Sequence, residues 1–88
     1  MKEGYLKIKD WFYNKTSETA ERYNTFIDVF SRNEYGMILA ENGYITVRAQ
    51  EVLNESEKVI QVVLSTGAVD GSVKGWKCWI PKSVIELN

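Results

Sequence analysis

The sequence predicts one α+β domain, in which an amphipathic helix packs on a curled antiparallel sheet or a partly closed small barrel of four to five strands. One segment has the three-and-four spacing of apolar residues that is typical of a helix. Several others alternate or are rich in β-branched residues, and an Asn-Gly pair between two apolar runs indicates a hairpin. At 88 residues the chain has the length of one domain, so residues 1–88 are assigned to a single domain.

The first predicted strand is GYLKIK at residues 4–9, where apolar and polar residues alternate. Its lysines suit an exposed sheet edge. The next segment, DWFYNK at residues 10–15, contains three consecutive aromatic residues. It fits either a turn that packs on the core or an early start of the helix.

The helix is predicted at about residues 17–32, in SETAERYNTFIDVFSRN. Thr16 or Ser17 can accept hydrogen bonds from the first free backbone N–H groups, and two nearby glutamates favour the positive end of the helix dipole. Arg32 and Asn33 suit the end of the helix. The apolar residues that would line its buried face are Ala20, Tyr23, Phe26, Ile27 and Phe30.

The period of the apolar residues then changes from helical to extended. In MILAENGYITVRA, Asn42 and Gly43 can supply the positive backbone angles of a two-residue type I′ turn. Strands are therefore predicted at residues 36–41 and 44–50. The stretch KVIQVVLS, residues 58–65, is dense in valine and is predicted to be a central strand that is buried on both faces or nearly so.

A loop is predicted next, and WKCWIP then resumes an extended run. Because proline cannot donate to a sheet ladder, this strand must end at Pro81 or lie at an edge, and Ser83 then starts a last turn. The loop holds Gly67, Asp70, Gly71 and Gly75. Strand alternation sends Trp76, Cys78 and Ile80 to one face and Lys77, Trp79 and Pro81 to the other.

The composition argues against several classes of function. The chain has no histidine, which removes the commonest general base, the usual metal ligand and the base of most nucleophile pairs. We therefore expect no enzyme, no metal site and no cofactor. Cys78 is the only cysteine and the N-terminus has no apolar signal-peptide core, so a cytoplasmic protein is expected. No apolar stretch is long enough to span a bilayer.

The residues predicted to bind a ligand combine aromatic rings with cationic side chains. A base can stack on an indole while lysines reach phosphates, and an arginine fork can hold a phosphate or a carboxylate. The alternative is structural: an indole that belongs to the core or covers a strand edge, and an arginine on a solvated face. The predicted ligand-binding residues are Trp79, Lys77, Lys82 and Arg48, followed by Trp76 and Tyr44.

The stretch from Glu57 to Glu86 contains EKVIQVVLS and then GWKCWIPKSVIE. It resembles a hairpin pattern in small uncharacterised proteins encoded by bacteriophages, in which a Glu-Lys pair opens a hydrophobic strand and a W-[IV]-P-K-S segment closes its partner. The resemblance implies a phage or mobile-element accessory protein of the host cytosol. Small proteins of that class often act by binding.

Three functions follow as expectations. The first is a non-enzymatic anti-defence protein that sequesters a small anionic nucleotide-like ligand on an aromatic and basic surface. The second is an inhibitor or adaptor that binds a bacterial protein, such as a CRISPR effector, through an exposed aromatic patch or a sheet edge. The third is single-stranded nucleic-acid binding. A homo-oligomer is expected, because identical sheet faces or edges can pair.

Overall fold

The computed structural model describes residues 4–68 and 73–86. It confirms the α+β fold, with one helix packed on a five-stranded antiparallel sheet that is curled but not closed. The elements follow in the order β1 (Gly4–Lys9), α1 (Asp10–Glu21), β2 (Thr25–Ile27), β3 (Tyr44–Glu55), β4 (Val59–Ala68), β5 (Val73–Pro81) and a 3₁₀ turn η1 (Lys82–Val84).

Strand β4 lies at the centre of the sheet, as predicted for residues 58–65. Strand β5 pairs with one edge of β4 along almost the whole length of β4. The other edge is shared, because β3 pairs with the first half of β4 and β2 pairs with its last three residues. Strand β1 then pairs with β3. The inner face of β4 is buried, whereas Val59, Gln61 and Val63 on its outer face are half-buried.

The chain after β2 passes from one strand of the sheet to another. Asp28 donates its backbone N–H to the carbonyl of Ser65 in β4 over 2.9 Å, and its own carbonyl accepts the N–H of Arg48 in β3 over 3.1 Å. Residues 28–32, here called the crossing segment, therefore fill the gap that opens where β3 and β4 diverge.

The core lies between α1 and the inner face of the sheet. Helix α1 contributes Tyr13 and Ala20, and the strands contribute the residues that alternate toward the helix. Among the residues that the structure describes, no helix combines the length and the hydrophobicity needed to cross a membrane. The buried apolar residues of the strands are Leu6, Ile8, Ile27, Ile45, Val47, Ala49, Ile60, Val62, Leu64 and Ile80.

The predicted helix at residues 17–32 is wrong in position, because α1 begins at Asp10 and ends at Glu21. The aromatic segment 10–15 thus forms the first half of the helix. Its first turn is stabilised by Asp10, whose carboxylate accepts the Trp11 N–H over 2.7 Å. The helix ends because Asn24 adopts the left-handed conformation at φ 56°, in which asparagine is common.

Residues 25–31 are extended, although their aromatic residues have helical spacing. The side chains alternate between the core and solvent, and hydrogen bonds to β4 and β3 hold the backbone. The apolar residues of this segment therefore have the spacing of a helix face, although the segment is extended and forms no helix. The buried side chains are Ile27, Val29 and Ser31, and the exposed ones, with the preceding Tyr23, are Phe26, Asp28 and Phe30.

The predicted Asn-Gly turn is confirmed, whereas the predicted strand at residues 36–41 is wrong. Asn42 and Gly43 have φ values of 54° and 83°. Glu41 and Tyr44 exchange backbone hydrogen bonds of 2.8 and 3.0 Å across the turn. Residues 36–41 form isolated bridges rather than a strand, because both edges of β3 are already paired with β1 and with the crossing segment.

Strand β5 ends at Pro81 and lies at the edge of the sheet, as its proline predicts. The predicted loop is wrong at both ends, because Gly67 belongs to β4 and Gly75 belongs to β5. Asp70 and Gly71 lie outside the described residues.

The segment after β5 covers part of the outer edge of β1. The turn predicted at Ser83 is present as η1. Beyond it, Ile85 forms a bridge with Ile8, and Glu86 donates its backbone N–H to the carbonyl of Lys7 over 2.9 Å. The strand predicted at residues 4–9 is thus confirmed, but its edge is not open along its whole length.

Candidate functional site

Trp79 and Lys77 lie side by side on the outer face of β5. Trp79 is 52% exposed, and in the sheet register it lies opposite Gln61, while Lys77 lies opposite Val63. Both side chains point away from the core, as the alternation predicts. They provide one aromatic surface and one cation beside the half-buried residues Gln61 and Val63 of β4.

Lys82 is engaged in an ion pair. Its Nζ donates to Glu55 Oε2 over 2.7 Å, which joins the start of η1 to the end of β3. This hydrogen bond, together with the attraction between the two charges, lowers the pKa of the Glu55 carboxyl. The Lys82 charge is therefore largely compensated within the chain.

Trp76 lies on the inner face of β5, opposite to Trp79. Its ring is partly buried against the core, and its centroid is 5.8 Å from that of Tyr23, which follows α1. The two tryptophans are thus separated by the sheet, as predicted. In this position Trp76 acts as a packing residue at the sheet edge.

Tyr44 and Arg48 share the outer face of β3 but lie far from Trp79. Arg48 pairs with Tyr5 of β1 in the sheet register. Trp79 of β5 pairs with Gln61 of β4, and Gln61 pairs in turn with Asn54 of β3. Asn54 is six positions along β3 from Arg48, which is about 20 Å at ~3.3 Å per residue. The structure therefore divides the predicted site residues between two separate areas of the outer face, and it places Trp76 on the inner face.

A groove that the sequence did not predict lies beside the crossing segment. The rings of Tyr5 and Phe30 have centroids 4.9 Å apart at an interplanar angle of 53°, and Phe30 is 67% exposed. The hydroxyl of the buried Ser31 accepts the N–H of Thr46 over 2.8 Å, which fixes the floor. This aromatic groove has a volume of about 330 Å³ and is lined by Tyr5, Lys7, Phe30, Ser31, Arg32, Glu41 and Thr46.

Arg32 is held in place by backbone carbonyls rather than by carboxylates. Its Nε donates to the carbonyl of Val29 over 3.2 Å, and its Nη1 donates to the carbonyl of Gly36 over 2.6 Å. No carboxylate of the described residues lies within ion-pair distance of its guanidinium. The groove therefore contains an oriented positive charge with N–H donors to spare.

A short antiparallel hairpin extends from the crossing segment. Leu39 donates its N–H to the Ser31 carbonyl over 2.9 Å, and Asn33 donates its N–H to the Met37 carbonyl over 2.9 Å. The side chain of Asn33 in turn accepts the N–H groups of Tyr35 and Met37 over 2.9 and 3.0 Å. Residues 31–39, here called the apolar hairpin, are thus fixed by hydrogen bonds at the base and at the tip.

The apolar hairpin carries large hydrophobic side chains that are exposed to solvent, from its tip at Tyr35 to its base at Leu39. Tyr35 is 80% exposed and Met37 is 64% exposed, while Ile38 and Leu39 are also exposed. Four large apolar side chains are thus exposed within five positions, a density that favours a binding surface.

Sequence reasoning missed the groove and the hairpin for an identifiable reason. The helix predicted at residues 17–32 contains both Phe30 and Arg32, and Phe30 would lie on its buried face. No strict alternation marks this segment: in FIDVFSR, residues 26–32, apolar residues stand at positions 26, 27, 29 and 30, so periodicity alone does not place Phe30 and Arg32 on one exposed face. The apolar run in residues 36–41 predicts a sheet strand because it precedes the Asn-Gly turn.

Comparisons of the chain with protein-family models, with curated proteins and with solved structures gave no match.

Proposed function

We propose that the chain is a non-enzymatic binding protein, an inhibitor or adaptor, that inserts the tip of the apolar hairpin into an apolar cleft of a bacterial partner protein. The exposed patch of Tyr35, Met37, Ile38 and Leu39 carries this proposal. Aromatic residues and methionine are enriched at the centres of protein interfaces. The resemblance of residues 57–86 to phage-encoded proteins favours a host protein, such as a defence effector, as the partner.

The hairpin is suited to binding because it is already ordered. Its backbone is closed by the Leu39–Ser31 and Asn33–Met37 hydrogen bonds, and Arg32 clamps the turn through the Gly36 carbonyl. A loop fixed before binding loses less conformational entropy on association. The apolar side chains can therefore contribute most of their burial energy to affinity.

The shape of the surface favours a different protein over a second copy of this chain. The hairpin is convex, so it needs a concave apolar receptor. Among the described residues, two grooves mix apolar with charged lining residues: Asp28 and Arg32 lie in one, and Lys7 and Glu41 lie in the other. Burying a second hairpin in either groove would remove these charged groups from water, which costs free energy.

The charges around the patch favour a protein over a membrane surface. Glu34 is exposed directly beside Tyr35 at the tip, and Glu41 is exposed a few residues beyond Leu39. Insertion of the patch into a bilayer would bring these carboxylates against anionic headgroups. A protein cleft with a polar or basic rim can instead accept them.

The test identifies the partner through the hairpin and then measures affinity with purified components. A photo-crosslinking amino acid at position 37 captures the bound protein in a bacterial lysate, and that protein is then purified. We expect the double variant Met37→Ser/Leu39→Ser to weaken its binding by about a hundredfold or more, because two apolar side chains lose burial worth about 1.5–3 kcal/mol each.

The matched control is Leu53→Ser, which removes an exposed leucine from β3 and leaves the hairpin intact. It should bind the partner as tightly as the unchanged chain. Three results would contradict the proposal: equal affinity of the double variant, self-association of the unchanged chain that the double variant abolishes, or hairpin-dependent sedimentation with anionic vesicles. Circular dichroism of each variant checks that the fold is retained.

A further inference from the structure

We propose that the aromatic groove binds a purine mononucleotide and prefers guanine to adenine. The groove lies at the base of the apolar hairpin and is independent of the tip residues that carry the proposed function. Three kinds of group meet in it: an aromatic surface, two cations and one carboxylate. Each complements a different part of the same ligand.

Phe30 provides the surface on which a base can stack. Its ring is exposed to solvent on one side and is supported on the other by Tyr5 at 4.9 Å. The pair is in contact, so the base lies on Phe30 and does not enter between the rings. Stacking of this kind accepts any base because every base has a π-face, and the choice of base must therefore come from other groups.

Arg32 and Lys7 provide the phosphate contacts. The Arg32 guanidinium is oriented by two backbone carbonyls and retains N–H donors, and a guanidinium fork matches the oxygens of a phosphate. Lys7 makes a loose ion pair, with its Nζ 3.7 Å from Glu86, and its side chain is half-exposed. It can therefore turn to an added phosphate at little cost.

Glu41 provides the selectivity. Its backbone is fixed by the two hydrogen bonds to Tyr44 across the Asn-Gly turn, and its side chain lines the groove. An ionised carboxylate only accepts hydrogen bonds. Guanine presents two adjacent N–H donors on its Watson–Crick edge, whereas adenine presents one donor beside an acceptor that a carboxylate repels.

The dimensions and the charge of the groove agree with this ligand. A volume of about 330 Å³ lies in the range of small-molecule sites. Arg32 and Lys7 supply two positive charges to the phosphate of a monoester once Lys7 turns away from Glu86, while Glu41 accepts hydrogen bonds from the neutral base. A nucleobase without phosphate would leave the oriented guanidinium without an anion.

Isothermal titration calorimetry of the full chain with GMP, AMP and ribose 5-phosphate tests the inference. We expect GMP to bind about tenfold more tightly than AMP, and ribose 5-phosphate to bind more weakly than both. Glu41→Gln should abolish the preference for GMP, whereas Lys7→Met should weaken both nucleotides alike. Phe30→Leu keeps an apolar side chain but removes the ring, and should weaken both nucleotides about tenfold.

Arg32 is left unchanged in these variants because it also holds the hairpin turn. Trp79→Ala is the control, since that indole lies on the distant part of the outer face, and it should leave GMP affinity unchanged. The inference is overturned if millimolar GMP gives no heat, if GMP and AMP bind equally, or if Trp79→Ala weakens GMP while Phe30→Leu does not. None of these outcomes depends on the hairpin tip, so they are separate from the test of partner binding.

Discussion

The side chain of Val63 occupies the space beside the α-carbon of Gly75. A Cβ atom at position 75 would overlap Val63 Cγ1 and would lie 3.1 Å from Gln50 Oε1. The three residues belong to β4, β5 and β3, so the absence of a side chain at Gly75 allows these strands to pack on the outer face. Gly75 is therefore required for packing rather than for a turn.

Gly75→Ala should lower the free energy of unfolding by about 1–3 kcal/mol, because the added methyl group forces Val63 and the backbone apart. Urea denaturation measures the change. Gly67→Ala is the matched control: Gly67 also lies in a strand, and a Cβ there meets nothing within 4 Å. Its stability should remain unchanged or rise by roughly 0.4–1 kcal/mol.

Shortening Val63 should rescue the Gly75 variant. In a double-mutant cycle, the loss of unfolding free energy in Val63→Ala/Gly75→Ala should be smaller than the sum of the losses in the two single variants by about 1 kcal/mol or more. Additive losses would show that the overlap with Val63 is not the cause.

Lys82→Met should raise the pKa of the Glu55 carboxyl toward its ordinary value, because the hydrogen bond and the charge that lower this pKa are removed. A lowered folded-state pKa means that the pair stabilises the fold above the ordinary glutamate pKa, and that this stabilisation is lost as pH falls through the lowered pKa. The variant should thus be less stable at neutral pH and unaffected in acid. NMR titration of the Glu55 carboxyl measures the pKa directly. Lys77→Met, which removes a lysine that has no ion pair with Glu55, should leave that titration unchanged.

Cys78 should react slowly with thiol reagents in the folded protein. Burial raises the pKa of its thiol to about 11, so little thiolate is present at pH 8. Because the folded-state pKa is raised, stability should fall as pH rises from the ordinary thiol pKa near 9 to about 11. Lysine and tyrosine also titrate in this pH range. The pH dependence of the free energy of unfolding is therefore measured for both the unchanged chain and Cys78→Ala, and the difference gives the contribution of Cys78. Rapid labelling without denaturant would contradict the burial of this side chain.

The two tryptophans should differ in their contribution to stability. Trp76 packs on the core and on Tyr23, so Trp76→Ala should cost about 2–4 kcal/mol. Trp79 is half-exposed, and Trp79→Ala should cost less than about 1 kcal/mol. Urea denaturation of both variants measures the difference, and equal losses would contradict the assignment of the indoles to opposite faces.

Alternation of apolar and polar residues predicts much of the sheet, because a strand that is buried on one face has an apolar residue at every second position. The first strand and the split between Trp76 and Trp79 are predictable for this reason, whereas the central strand is predictable from its density of valine. The helix was misplaced because Tyr23, Phe26 and Phe30 have helical spacing but point to solvent. Long-range hydrogen bonds between the crossing segment and β3 decide that conformation, and a local pattern does not contain them.

The candidate site follows the same division. That Trp79 and Lys77 share the face opposite to Trp76 can be predicted from a single strand. The aromatic groove could not, because Tyr5, Phe30 and Glu41 come from separate parts of the chain and meet only through the pairing of β1 and the crossing segment with β3. Likewise, residues 36–41 lack a strand partner because β3 has no free edge near them, which depends on the whole sheet.

The pairing of β1 also has a consequence during synthesis on the ribosome. This strand is translated before its partners, which are Tyr44–Ala49 of β3 and, later still, Ile85. Until those residues emerge, the β1 backbone is open to pairing with other chains. Lys7 and Lys9 then act as gatekeepers against aggregation, since charged side chains discourage intermolecular strand pairing.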